Sequence, residues 1–261
     1  MALFLALPLL LACGGGDGIR LRVDYSTRPV WNYRFSADVT GRLTEADSTR
    51  HFSNTASCLL VGEGRKGSPA ALDLRFRDVT VISTLLDSAE CRNLERQFEE
   101  TALGIELANG VVDIFDTLAV PVVRIGEWDL VRTFVRAIPS LPGMKVVAGE
   151  GWEREKTVPL MTSLGRAAGH LYQSFVLDSV AEGGTDAWVS WRFTYRIEPL
   201  DADNASLFPL LPLAGTGTGQ AHFSLAGNYL ESVQVTFRVP RSHEGPDLSW
   251  EENLTLRLID G

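Results

Sequence analysis

The feature that most constrains this chain is a strict two-residue alternation. Trp31, Tyr33, Phe35, Ala37 and Val39 interleave with Asn32, Arg34, Ser36, Asp38 and Thr40. In an extended strand this puts the apolar side chains on one face and the polar ones on the other, whereas a helix would scatter them round its circumference. The pattern returns at Val189, Trp191, Phe193, Tyr195 and Ile197, and again at Val233, Val235, Phe237 and Val239. Ala221, Phe223 and Leu225 precede that last run across Gly227 and Asn228, a glycine-containing turn that predicts a hairpin. Leu72, Leu74 and Phe76 alternate, then the phase slips to Val79 and Val81, which predicts a β-bulge near Arg77 and Asp78. Leu254, Leu256 and Leu258 close the chain. Less regular strands are expected over 48–62, 105–115, 152–160 and 170–181, with a hairpin turn at 182–186.

Two segments read as helical. Asp87 with Glu90 three residues later is a capping-box start, followed by Cys91, Leu94 and Phe98 at helical spacing. Trp128, Val131, Val135 and Ile138 repeat that spacing before Pro139 ends the run. The expected class is therefore mainly β: a large curved antiparallel sheet, half-barrel or barrel-like, with two short helices. Residues 143–151 divide it into rough halves.

The first twelve residues form an uncharged apolar run, followed at once by Cys13 and three glycines. As a helix the run covers roughly 17 Å, short of the roughly 30 Å of a bilayer core, so it reads as a signal peptide and not a span. Leu10-Leu11-Ala12-Cys13 resembles the lipobox of bacterial lipoproteins, in which the cysteine sulfur takes a diacylglyceryl group and becomes the new N-terminus. That resemblance implies a signal peptide over 1–12 and a lipidated tether over 13–18, and the alternating strands beyond predict a single β-rich domain over 19–261. It also implies a cell-envelope protein held to a membrane through Cys13. Gly14 after the cysteine, by the enterobacterial sorting rule, points to the outer membrane.

With Cys13 assigned to lipid, Cys58 and Cys91 remain as an even pair in an oxidising compartment, which predicts a disulfide. The alternative is two buried free thiols. Lys and Arg number 24 against 33 Asp and Glu, for a net charge of −9. Nucleic acid is excluded as a partner because it would repel such a chain, and no basic stripe offsets the charge.

Motifs for chemistry are sparse. His51, His170, His222 and His243 show no metal-ligand spacing, and there is no G-x-S-x-G elbow or C-x-x-C. No metal, cofactor or catalytic residue is therefore expected. Gly215, Gly217 and Gly219, alternating with Thr216 and Thr218, lack the lysine of a phosphate loop and read as a flexible connection. Glu150, Glu153 and Glu155 would suit paired-carboxylate chemistry, but Arg154 and Lys156 among them read as a charged sheet surface.

The element order and the aromatic-rich alternating strands are similar to lipid-anchored envelope proteins of the LolA and LppX half-barrel type. The resemblance spans about 30–258, rests on no diagnostic motif and transfers no binding residue. Such a sheet leaves a concave face, and Trp31, Tyr33, Trp191, Phe193 and Tyr195 either fill it as core or line an apolar cavity. The apolar, proline-broken loop 207–213, with Phe208 and Leu210, is either packed on the core or a lip over that cavity. The expectation is a non-catalytic envelope lipoprotein binding a lipid or other apolar small molecule. The alternative is a solid β module contacting protein or glycan at the cell surface.

Overall fold

The computed structural model describes residues 18–45, 48–69, 71–108, 111–114, 123–125, 128–162, 165–200, 214–240 and 247–259. Cys13 and the run before it, the loop 207–213 with Phe208 and Leu210, and His243 lie outside the described residues. A 3-10 turn, Tyr25–Thr27, precedes strands β1 (Val30–Glu45), β2 (Ser48–Gly64) and β3 (Ala71–Ser83), then helix α1 (Ser88–Glu99). Next come β4 (Ala102–Ala108), β5 (Val111–Ile114), β6 (Arg124–Ile125), β7 (Trp128–Asp129) and helix α2 (Leu130–Ala137). The second half is strand throughout: β8 (Gly151–Thr162), β9 (Gly165–Val180), β10 (Asp186–Pro199), β11 (Ala214–Ser224), β12 (Tyr229–Val239) and β13 (Asp247–Leu258).

Eleven strands make one antiparallel sheet in the order β5-β4-β3-β2-β1-β13-β12-β11-β10-β9-β8, and β6 pairs with β7 apart from it. The chain starts in the middle and runs outward to β5, by hairpins except where α1 joins β3 to β4. It then crosses to the far edge at β8 and returns by hairpins until β13 closes against β1, with Tyr33 opposite Leu258 and Thr44 opposite Asp247. β5 and β8 are opposite edges, so the sheet is open and not a closed barrel.

Laid flat, eleven strands would be about 50 Å wide. The apolar sides of ten of them, β1 to β4 and β8 to β13, nevertheless belong to one buried cluster, and the described cover on that side is the N-terminal stretch with Leu21, Val23 and Tyr25, α1, α2 and the crossing segment. A sheet of this size curls, and curling lets so little cover bury so much. Trp31, Tyr33, Phe35, Ala37 and Val39 are each 3% exposed or less, so the alternation in β1 marks the inner face as expected. The predicted bulge is present: Ser57 pairs with Thr80 but Leu59 pairs with Arg77, and Asp78 takes a positive φ of 50°.

Three expectations need correction. Gly215, Gly217 and Gly219 are not a flexible connection but part of β11, in register with Tyr195, Phe193 and Trp191 of β10. The second helix is shorter than expected, since Trp128 and Asp129 are extended and only two turns follow from Leu130. Cys58 and Cys91 are both free and buried, with no disulfide between them. Cys58 sits on the inner face of β2 opposite Phe35, while Cys91 faces inward from α1, and each thiol is packed as a small apolar group.

Candidate functional site

The five described aromatics of the expected apolar site are held apart. Trp31 and Tyr33 lie on β1, and Trp191, Phe193 and Tyr195 on β10, with β13, β12 and β11 between them. The Trp31 indole N–H donates to the Tyr25 carbonyl at 2.9 Å, and its ring packs against Tyr25 and Tyr229 at centroid distances of 5.4 and 5.3 Å. The Arg28 guanidinium caps this group, 5.2 Å from the Trp31 ring and 5.0 Å from that of Tyr229. Tyr33 reaches past the end of β13 to donate its hydroxyl to the Leu230 carbonyl of β12 at 2.9 Å.

The β10 aromatics belong to a second group. Trp152 stacks on Phe175 at 5.2 Å, Phe175 meets Trp191 at 5.7 Å, and Phe193 stacks on Phe237 at 5.7 Å. The glycines of β11 supply the floor. A Cβ on Gly219 would meet the Trp191 ring, one on Gly217 the Phe193 ring, and one on Gly215 the Phe237 ring. Alternating glycine thus clears the inner face of β11 so that large rings from its neighbours lie over its backbone, while Thr216 and Thr218 face outward. Trp31, Tyr33, Trp191 and Phe193 are exposed by only 1, 3, 2 and 4%, and Tyr195 is half-buried. These rings are packed core.

The cover is small and apolar. Phe98 of α1 stacks on Phe76 at 4.3 Å, and Phe134 of α2 meets Phe35 edge-on at 5.7 Å and Phe76 at 6.0 Å. Beyond α2 the crossing segment is fastened to the sheet by polar groups. The Trp152 indole N–H donates to the Ser140 carbonyl at 3.1 Å, Arg154 donates to the Leu141 carbonyl at 3.3 Å, and the Ser140 hydroxyl donates to Gln173 Oε1 at 3.2 Å.

The outer face is polar and ridged. A groove of about 960 Å³ runs over β8 to β12, with Glu153, Tyr172, Arg192, Thr194, Thr218 and Arg238 on its walls. Glu153 and Glu155 are exposed there, and the Tyr172 phenol, hydrogen-bonded to Glu155, has its pKa raised by that bond. The Arg238 guanidinium donates to Glu251 at 2.6 Å and holds that carboxyl below its usual range. His51 is exposed, and His170 stands 3.5 Å from Glu198. His222 has company that spacing along the chain does not reveal. Its Nε2 lies 3.1 Å from Asp186 Oδ1, its Nδ1 lies 3.0 Å from Glu231 Oε2, and Trp188 stacks parallel to its ring at 4.8 Å. The Thr185 hydroxyl, the larger influence, and His222 together hold the Asp186 carboxyl below its usual range.

No protein-family model matches the chain. No curated protein matches it either. Among solved structures the fold is similar to one that concerns lipid-protein interactions in lipovitellin, with 12% identity and a TM-score of 0.51, covering 88% of this chain. The chain spans only 25% of that protein's length. A DUF1329 family protein from Desulfovibrio piger aligns over 88% of this chain and 86% of that one, with 8% identity and a TM-score of 0.21. At 12% identity the likeness to the lipovitellin structure is one of fold alone.

Proposed function

We propose that this chain is a non-catalytic lipoprotein of the cell envelope, anchored through Cys13 in the outer membrane, that takes a lipid or other apolar molecule against the inner face of its sheet. One observation carries the reading: an aromatic-rich apolar face spanning ten strands is covered, among the described residues, by two short helices, one crossing segment and the N-terminal stretch that carries Leu21, Val23 and Tyr25. Release of Phe134 and Phe98 from Phe35 and Phe76 opens that face, and a lipid chain then replaces the contacts they made. Each Å² of apolar surface so covered returns about 25 cal/mol, so a few hundred Å² of ligand matches the cover it displaces. The similarity of fold to a structure that concerns lipid-protein interactions in lipovitellin supports this reading.

The test is extraction of the purified mature protein with organic solvent, followed by mass spectrometry, with titration of an apolar fluorophore in parallel. Co-purifying lipid, or one-to-one fluorophore binding that strengthens in Phe134→Ala, is the expected result. An empty extract together with no saturable binding, in wild type and in Phe134→Ala, overturns the reading. The outer groove favours the second reading, a solid module that binds protein or glycan, and that reading inherits the empty result.

A further inference from the structure

We propose that Asp186, His222 and Glu231 form a binding site for a divalent transition cation of the zinc class. β10, β11 and β12 are neighbours in the sheet, and each delivers one of these residues to the outer face. Trp188 is the register partner of His222 on β10, and His222 faces Ser232, the neighbour of Glu231, on β12. The donor set is one imidazole and two carboxylates, which suits zinc and its neighbours in the first transition row.

The arrangement converges. Two in-plane hydrogen bonds to opposite ring nitrogens would splay the carboxylates to the far sides of the imidazole. Instead, one oxygen from each carboxylate and one ring nitrogen all fall within 4.8 Å of one another. An ion bound at about 2.0–2.2 Å holds neighbouring ligand atoms roughly 3.0–3.5 Å apart. Each carboxylate already stands at that spacing from one ring nitrogen, Asp186 3.1 Å from Nε2 and Glu231 3.0 Å from Nδ1, and rotation of one carboxylate toward the nitrogen the ion takes closes the set from within 4.8 Å. His222, Asp186 and Glu231 side chains are 26, 29 and 34% exposed, so an ion has access and the remaining coordination positions can hold water.

The ligands are also braced from behind. The Thr185 hydroxyl donates to Asp186 Oδ2 at 2.6 Å, which leaves Oδ1 turned toward His222. The parallel Trp188 ring fixes the plane of the imidazole. Such outer partners orient metal ligands and raise their affinity. The place matters to the fold as well. The β11–β12 turn beside the site receives the N-terminal segment: Asp24 donates its N–H to the Asn228 carbonyl at 2.7 Å, and Arg22 Nε donates to Asn228 Oδ1 at 2.8 Å. An ion across three strands stiffens the end of the sheet where the chain arrives from its anchor.

The experiment is a titration of the metal-free mature chain with Zn²⁺ in competition with a chromophoric chelator, with thermal melts of the same samples. One-to-one binding is expected, weakened at least tenfold in His222→Ala and in Glu231→Gln and unchanged in His51→Ala. The melting temperature should rise with zinc in wild type and His51→Ala only. Absence of saturable zinc binding in wild type overturns the proposal, and the three side chains are then a hydrogen-bonded cluster alone. Binding that persists unweakened in Glu231→Gln, or is lost equally in His51→Ala, overturns it too. Glu231→Gln keeps size and polarity, so it remains informative if His222→Ala does not fold.

Discussion

The indole of Trp191 lies flat over the backbone of Gly219, its register partner on the next strand, in the space a Cβ would need. Gly219→Ala therefore places a methyl group inside a ring that is 2% exposed and cannot withdraw. Two effects oppose each other. Replacing glycine limits the unfolded chain and returns about 0.4–1 kcal/mol, while overpacking a filled core costs about 1–3 kcal/mol. The clash wins, so Gly219→Ala and Gly217→Ala should each lower stability in urea unfolding. Thr218→Val, between them on the exposed face, should stay within about 0.5 kcal/mol of wild type. Equal effects at all three positions would mean that β11 is not seated as described.

This pairing also marks where sequence reading stops. Trp191 was legible as an inward residue because alternation along β10 is local, and so was the bulge at Asp78 because a phase slip is local too. The seat of Trp191 was not, because glycine has no side chain to carry a pattern and reads as a loop until its neighbour's rings are known. The same holds for Asp186, His222 and Glu231. Asp186 reads as the end of a turn and His222 as a polar residue between apolar strand positions, and their meeting with Glu231 depends on register between three strands. The helix at Asp87 was plain from its capping box, whereas Trp128 carries helical spacing with Val131 and is extended. The disulfide was inferred from an even count of cysteines, and a count says nothing about where each thiol points.

Tyr33 offers a way to tell core from ligand wall. Its hydroxyl is buried and spans from β1 to the Leu230 carbonyl of β12. Tyr33→Phe removes one neutral hydrogen bond and leaves that carbonyl unmet, a loss of about 1–2 kcal/mol by equilibrium unfolding. Trp31→Ala, which empties a site 1% exposed, should cost about 3–5 kcal/mol. Neutral outcomes at both positions would instead describe a cavity wall.

Cys58 and Cys91 should behave as two buried thiols. Burial pushes the Cys58 thiol up to about 12, so almost none of it is thiolate near neutral pH. An alkylating reagent should label neither residue in the folded protein and both in denaturant, without prior reduction. Reductant should leave the melting temperature unchanged. A mass two hydrogens short before reduction would restore the disulfide.

The last expectation concerns pH and the start of α1. The Asp87 carboxylate accepts the N–H groups of Ala89 at 2.7 Å and Glu90 at 2.9 Å, and the Glu90 carboxylate accepts the N–H of Asp87 at 2.8 Å. The backbone bonds from Glu90 and then Ala89 hold the Asp87 carboxyl below its usual value. A depressed folded pKa means that the stabilisation is present in full above the unfolded value near 3.9 and fades as pH falls through the folded value. α1 packs on β3 through Phe98, so fraying at its first turn loosens the cover over the sheet. Asp87→Ala should lower the melting temperature by a few degrees at neutral pH, and Asp87→Asn by less, since an amide still caps but carries no charge. As pH falls through that lowered folded value wild type and Asp87→Asn should converge, because the protonated acid and the amide then offer the same neutral acceptor. A gap between those two that persists unchanged into acid would show that the charge at this cap contributes nothing.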